Sequence, residues 1–138
     1  MLAGGSEVLG YAAEALLLAG DHDGAQRHLE QALLIADKHG ERVYLPQLFV
    51  IESAIARARG QPKSAVASVR NAIEEARSQE APWLELIALV ELCSHEGAKA
   101  KDRQALSALV DRLPEAAETD AVKRARALIH GSARVAAT

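Results

Sequence analysis

The sequence predicts an all-α chain of stacked helical hairpins, a reading carried by one long repeat, one short periodicity and a set of helix breakers. Ala25, Ala65 and Ala105 recur 40 residues apart, and the same offset aligns Leu29 with Val69 and Leu109, and Leu33 with Ile73 and Leu113. Gly20, Gly60 and Ala100 stand five residues before those alanines, and Ala32 matches Ala72, with Arg112 in the third copy. Inside each copy the apolar residues fall three and four apart, the spacing that gathers them on one helix face. Hairpins of this kind cannot bury their apolar faces alone. They stack into a solenoid whose product is a surface for binding.

The first hairpin spans about 6–38. Its first helix, from about Ser6 to Ala19, gathers Leu9, Ala12, Ala13 and Leu16, and Gly20 ends it. Asp21 is placed to cap the second helix by accepting an amide that has no partner in the first turn. Ala25, Leu29, Ala32 and Ala36 form that helix's buried stripe; Lys38 and His39 complement the dipole at its end, and Gly40 terminates it. The second hairpin, about 44–78, starts near Tyr44, with Pro46 tolerated in the first turn and Leu48, Ile51 and Ile55 facing inward. Gly60-Gln61-Pro62 makes the turn, and Ala65, Val69, Ala72, Ile73 and Ala76 carry the next helix to Ser78. The third hairpin, about 82–113, opens at Ala81-Pro82-Trp83. Leu86, Leu89, Leu92 and Cys93 line its first helix, and Ala105, Leu106, Leu109, Val110 and Leu113 line its second, up to Pro114. Thr119 caps a final helix of about 120–131, with Val122, Ala125, Leu128 and Ile129 on one face, and the tail from Gly131 to Thr138 is expected to fray. A half-polar last helix suits the covering of a solenoid's final layer.

Composition narrows the function. With 138 residues the chain suits one domain, and with 3% aromatic residues its core must be aliphatic. A net charge of -3 argues against direct nucleic-acid binding, which needs a concentrated basic face. The one basic cluster, Lys123, Arg124 and Arg126, reads as a solvated helix surface. The single cysteine, Cys93, forbids an internal disulfide and fits a reducing compartment. No apolar run is long enough for a membrane span, and the segment from Met1 to Ser6 has no basic leader, so a cytoplasmic chain is expected.

No group of residues suggests catalysis or a cofactor. Asp21, His22, Asp23 and His28 are the nearest to a metal set, but the histidines stand six apart on opposite sides of a helix and Asp21 serves as a cap. Cys93 and His95 diverge, two apart, and match no nucleophile motif. Glu74, Glu75 and the acids of 115–120 look solvated rather than paired across a cleft. Trp83 either staples adjacent hairpins or anchors a partner. The first helix carries Leu2, Val8, Leu9, Tyr11, Leu16 and Leu17 on more than one side, so self-association through Leu9 and Leu17, as a homodimer, is expected.

Leu16-Leu17-Leu18-Ala19-Gly20, Tyr44-Leu45-Pro46-Gln47-Leu48, the stretch from Gly60 to Ala76, Trp83-Leu84-Glu85-Leu86, and Thr119-Asp120 with Ala125 to Ile129 resemble the tetratricopeptide-repeat superfamily. The likeness is to the longer-period version at the carboxyl end of bacterial predicted ATPases and signal-transduction transcriptional regulators. It pairs Ala13 with Ala25, Ser53 with Ala65 and Cys93 with Ala105 at helix crossings. It implies a right-handed solenoid of three hairpins plus a capping helix. It also implies a concave face lined by the first helix of each hairpin: Glu14, Leu17, Gln47, Val50, Ala54, Arg57, Ile87 and Val90. That mixture suits an amphipathic helix or peptide. No glycine-rich loop ending in Gly-Lys-Ser or Gly-Lys-Thr is present, so the resemblance points to the sensing end without the ATPase. The implied function is a non-catalytic protein-interaction or signal-sensing module; the alternative is a small-molecule sensor that controls an attached ATPase or DNA-binding output domain.

Overall fold

Seven α-helices and no strand occur among the described residues of the computed structural model, which cover 5–95, 97–113 and 119–137, with side chains up to 130. Leu2, Pro114 and the acids Glu115 and Glu118 lie outside them. The helices are α1 (Gly5–Leu18), α2 (His22–His39), α3 (Leu45–Ala58), α4 (Pro62–Ser78), α5 (Pro82–Cys93), α6 (Ala100–Arg112) and α7 (Asp120–Ala137). Each packs on its chain neighbour, and α1 meets α3, α3 meets α5 and α5 meets α7, with no contact between elements further apart in order. None of the described helices is long and apolar enough to cross a membrane.

The ends of the first four helices share one chemistry. Gly20, Gly40 and Gly60 have φ values of 86°, 64° and 72°, the left-handed region that glycine enters without steric cost, and Glu80 takes the fourth position at 52°. In each case the next amide closes back on a carbonyl five residues earlier: Asp21 on Leu16, Glu41 on Ala36, Gln61 on Ala56 and Ala81 on Ala76, all at 2.8–2.9 Å. The starts are more varied. Asp21 accepts the Gly24 amide at 2.9 Å, Thr119 accepts that of Val122 at 3.3 Å, and prolines open the first turns of α3, α4 and α5.

The 40-residue register holds through the first two hairpins. Ala25, Leu29, Ala32 and Ala36 on α2, and Ala65, Val69, Ala72 and Ala76 on α4, are all buried. The Ser53 hydroxyl donates to the Ala65 carbonyl at 2.7 Å where the second hairpin crosses itself. The third hairpin corrects the sequence alignment. The buried stripe of α6 is Asp102, Leu106 and Leu109, each 37 residues after Ala65, Val69 and Ala72, while Ala105 is only half-buried. Leu109, not Arg112, therefore occupies the place of Ala72. The shift begins at α5, which starts 37 residues after α3 because residues 79–81 link α4 to α5 where residues 40–44 link α2 to α3. Two local bonds then set the end of α5 and the start of α6. Ser94 donates its hydroxyl to Val90 O at 2.8 Å as α5 ends, and Asp102 accepts the Lys99 amide at 2.8 Å, which fixes the first turn of α6 at Ala100.

Two apolar clusters meet along α3. One joins Ala13 of α1 and the α2 stripe to Leu48 and Ile55 of α3, with Leu9, Leu16, Leu17 and Ile51 packed against it. The other joins α4, α5, α6 and α7, and Val122 and Ala125 of α7 are buried in it. Helix α7 continues through Gly131 to Ala137, beyond the expected stop. This segment has only one glycine among good or tolerable helix formers, a cost of about 1 kcal/mol.

Candidate functional site

The residues expected on a concave face do not make one surface. Glu14 is exposed, and Leu17 packs partly into the first cluster. Gln47 borders a shallow recess with Tyr11 and Tyr44, and Val50 packs against the second cluster. Ala54 is half-buried and Ile87 is 39% exposed. Val90 is 2% exposed, a core residue rather than part of a groove floor. Arg57 is exposed but leads elsewhere, into a cleft described below. Trp83 is 37% exposed in the first turn of α5.

The first helix presents its apolar excess through other residues than expected. Leu9 and Leu17 turn partly inward, whereas Val8, Tyr11 and Leu18 are 66%, 58% and 84% exposed. With Ala15, also exposed, they form a stripe spaced three, four and three along α1. Glu7 accepts the Tyr11 hydroxyl at 2.9 Å and raises its pKa, chiefly through that bond, and it raises Tyr44 in the same way.

The stripe has internal counterparts. Leu48, Ile51 and Ile55 stand 40 residues after Val8, Tyr11 and Ala15, and they are the α3 side chains that pack into the first hairpin's cluster. The offset ends there, since α5 starts 37 residues after α3; Ala88 and Glu91 of α5 and His95, just past its end, stand near the second junction. Ala88 is fully buried, Glu91 is half-buried, and the His95 Nε2 lies 3.2 Å from Glu91 Oε1.

His95 also lines an open cleft of about 570 Å³ beside α4, together with Arg57, Gly60, Pro62, Lys63, Val66 and Gly97. Sequence reasoning named only Arg57 among them as a binding residue. The signal was the change of charge at one equivalent position, where Asp23 becomes Lys63.

The residues that could have formed a metal or catalytic site have local roles. Asp21 caps α2, Asp23 pairs with Arg59 at 2.6 Å, and His28 Nδ1 lies 2.9 Å from Gly24 O. Cys93 is buried beside Asp102; burial and that carboxylate push the thiol pKa up, against a smaller opposing effect of Arg103, so the thiolate is scarce. Asp102 itself is held below the usual carboxylate range. Burial would raise it, but the two-pronged contact with Arg70 at 3.1 and 3.2 Å, the Lys99 amide and nearby Lys101 outweigh that cost. Among the described residues no group of three metal-ligating side chains converges. No protein-family model matches the chain, and neither a curated protein nor a solved structure matches it.

Proposed function

We propose that the chain is a non-catalytic interaction module of a signal-sensing or regulatory protein. Its architecture is a right-handed, tetratricopeptide-like solenoid, and it pairs with a second copy of itself through α1. The observation that carries this reading is the register of the exposed stripe. Val8, Tyr11 and Ala15 occupy on α1 the positions that Leu48, Ile51 and Ile55 use on α3 to stack one hairpin on another. Helix α1 thus offers a stacking face on which nothing is stacked among the described residues. The other end of the series is covered, because Val122 and Ala125 of α7 bury against α5 and α6. A head-to-tail chain of copies would have to displace α7. Twofold pairing of one α1 face with its copy avoids that and hides both faces at once.

The measurement is sedimentation velocity on the wild type and on a Val8→Glu/Leu18→Glu double variant. The wild type is expected to be dimeric at micromolar concentration and the variant monomeric with unchanged helical circular dichroism. Both side chains lie outside the cores, so the fold should survive. A wild type that stays monomeric at high micromolar concentration overturns self-pairing.

A further inference from the structure

We infer that the cleft between α4 and the loop after α5 binds a small organic anion with an apolar body. Its volume of about 570 Å³ lies in the range of small-molecule sites. Segments distant in sequence build it: the end of α3, the first turns of α4, and His95 and Gly97 after α5. Pro62 and Val66 supply apolar surface, and Gly97 keeps the space open, since a Cβ there would come within 3.2 Å of the Val66 Cγ2.

The polar part of the lining is cationic. The Arg57 guanidinium donates to Ser94 O at 3.0 Å and stands 3.8 Å from Glu91, the carboxylate that also faces His95. Glu91 is therefore shared between two neighbours. Lys63 makes no ion pair among the described residues. It lies in the first turn of α4, where Gln61 provides no side-chain cap, so the positive end of the helix dipole adds to its charge. The first inter-hairpin junction shows what this edge looks like when charge is balanced: Asp23, the counterpart of Lys63, is an acid held by Arg59 at 2.6 Å. A carboxylate carried by an apolar ligand would supply at Lys63 and Arg57 the charge that Asp23 supplies there, while its body covers Pro62 and Val66.

The experiment is an amide-shift titration of the full chain by nuclear magnetic resonance with octanoate and, separately, octan-1-ol. Octanoate should move the Gly60, Lys63, Val66 and Gly97 amides saturably, and octanol should bind about tenfold more weakly, the scale of one charge-assisted contact. Lys63→Gln should weaken octanoate by about tenfold and Lys63→Glu by more, and Lys63→Arg should retain it. Equal affinity for the acid and the alcohol, unchanged binding by Lys63→Gln, shifts centred on another surface, or no saturable shift at millimolar octanoate would each overturn the inference. The self-pairing of α1 is read by sedimentation and stands or falls separately.

Discussion

The two junctions between hairpins differ in both spacing and chemistry. At the first, Leu48, Ile51 and Ile55 of α3 press into the α1–α2 cluster, and Arg59 clasps Asp23 at the turn. At the second, Glu91 of α5 and His95 just past its end stand beside Arg57, the counterpart of Asp23 is Lys63, and a cleft opens beside α4. Aliphatic side chains at the first junction contribute transfer energy and exclude water, so it closes. A carboxylate and an imidazole must keep their hydrogen bonds, and they do so with each other and with Arg57. The second junction is held by α5 and its buried leucines but leaves its edge open. One fold thus divides its labour: a sealed junction for stability and an open one available for a ligand.

The largest test of this contrast is Leu48→Ala. Leu48 is 1% exposed in the first cluster, and its loss should cost about 2–5 kcal/mol in urea unfolding, as for other large-to-small core changes. A cost below about 1 kcal/mol would mean that the first junction is not the sealed one. The reciprocal experiment gives the second junction the chemistry of the first. Glu91→Ile with His95→Ile should leave the chain as stable or raise its stability by about 1 kcal/mol, because apolar residues often replace a buried polar pair at no cost. A marked loss would show that the Glu91–His95–Arg57 contacts hold the junction together.

Asp102 offers a pH test in the same half of the molecule. Its folded pKa lies below its unfolded value, so the associated stability is present above about pH 4 and is lost as the pH falls through the folded value. Arg70 is 37% exposed, which screens the pair and limits the effect to about 1 kcal/mol. Asp102→Asn should remove that part of the acid sensitivity, measured as the wild-type-minus-variant difference in thermal midpoint between pH 7 and pH 3. An unchanged difference would deny the pair its role. The smallest effect is expected from Glu80→Gly, which relieves the one left-handed non-glycine stop and should add about 0.5–1 kcal/mol.

Much of the fold was legible because its signals are local. Gly40 after Lys38 and His39, Asp21 before Gly24, Pro62 at the head of α4 and Thr119 before Asp120 each act within one turn, and each does in the structure what its chemistry dictates. The three-residue shift of α6 was not legible. Ala105, Leu109 and Leu113 match the repeat in sequence, yet the stripe through Leu106 and Leu109 buries more apolar surface and lets Asp102 reach both the Lys99 amide and Arg70. Nor could periodicity decide how α1 rolls on its neighbours. Leu9 and Leu17 were as plausible outside as Val8 and Leu18, and only the fit against α2 and α3 separates them. The cleft was hidden for a third reason: it arises where two junctions differ, and a repeat-based reading looks for sameness.

The left-handed stops at Gly20, Gly40, Gly60 and Glu80 fall at even intervals of 20 residues. Because each ends its helix by backbone geometry, the segments between stops are interchangeable lengths of chain, and contacts reach only the nearest elements. A cut and rejoining between Gly40 and Glu41, or between Glu80 and Ala81, would leave every helix whole and in phase. Ala100, where the next stop would fall, begins a helix instead. The spacing of the helices changes in the same hairpin, since α5 starts 37 residues after α3 where α3 starts 40 after α1, which marks the third hairpin as the place where such a protein could gain or lose residues without unwinding the rest.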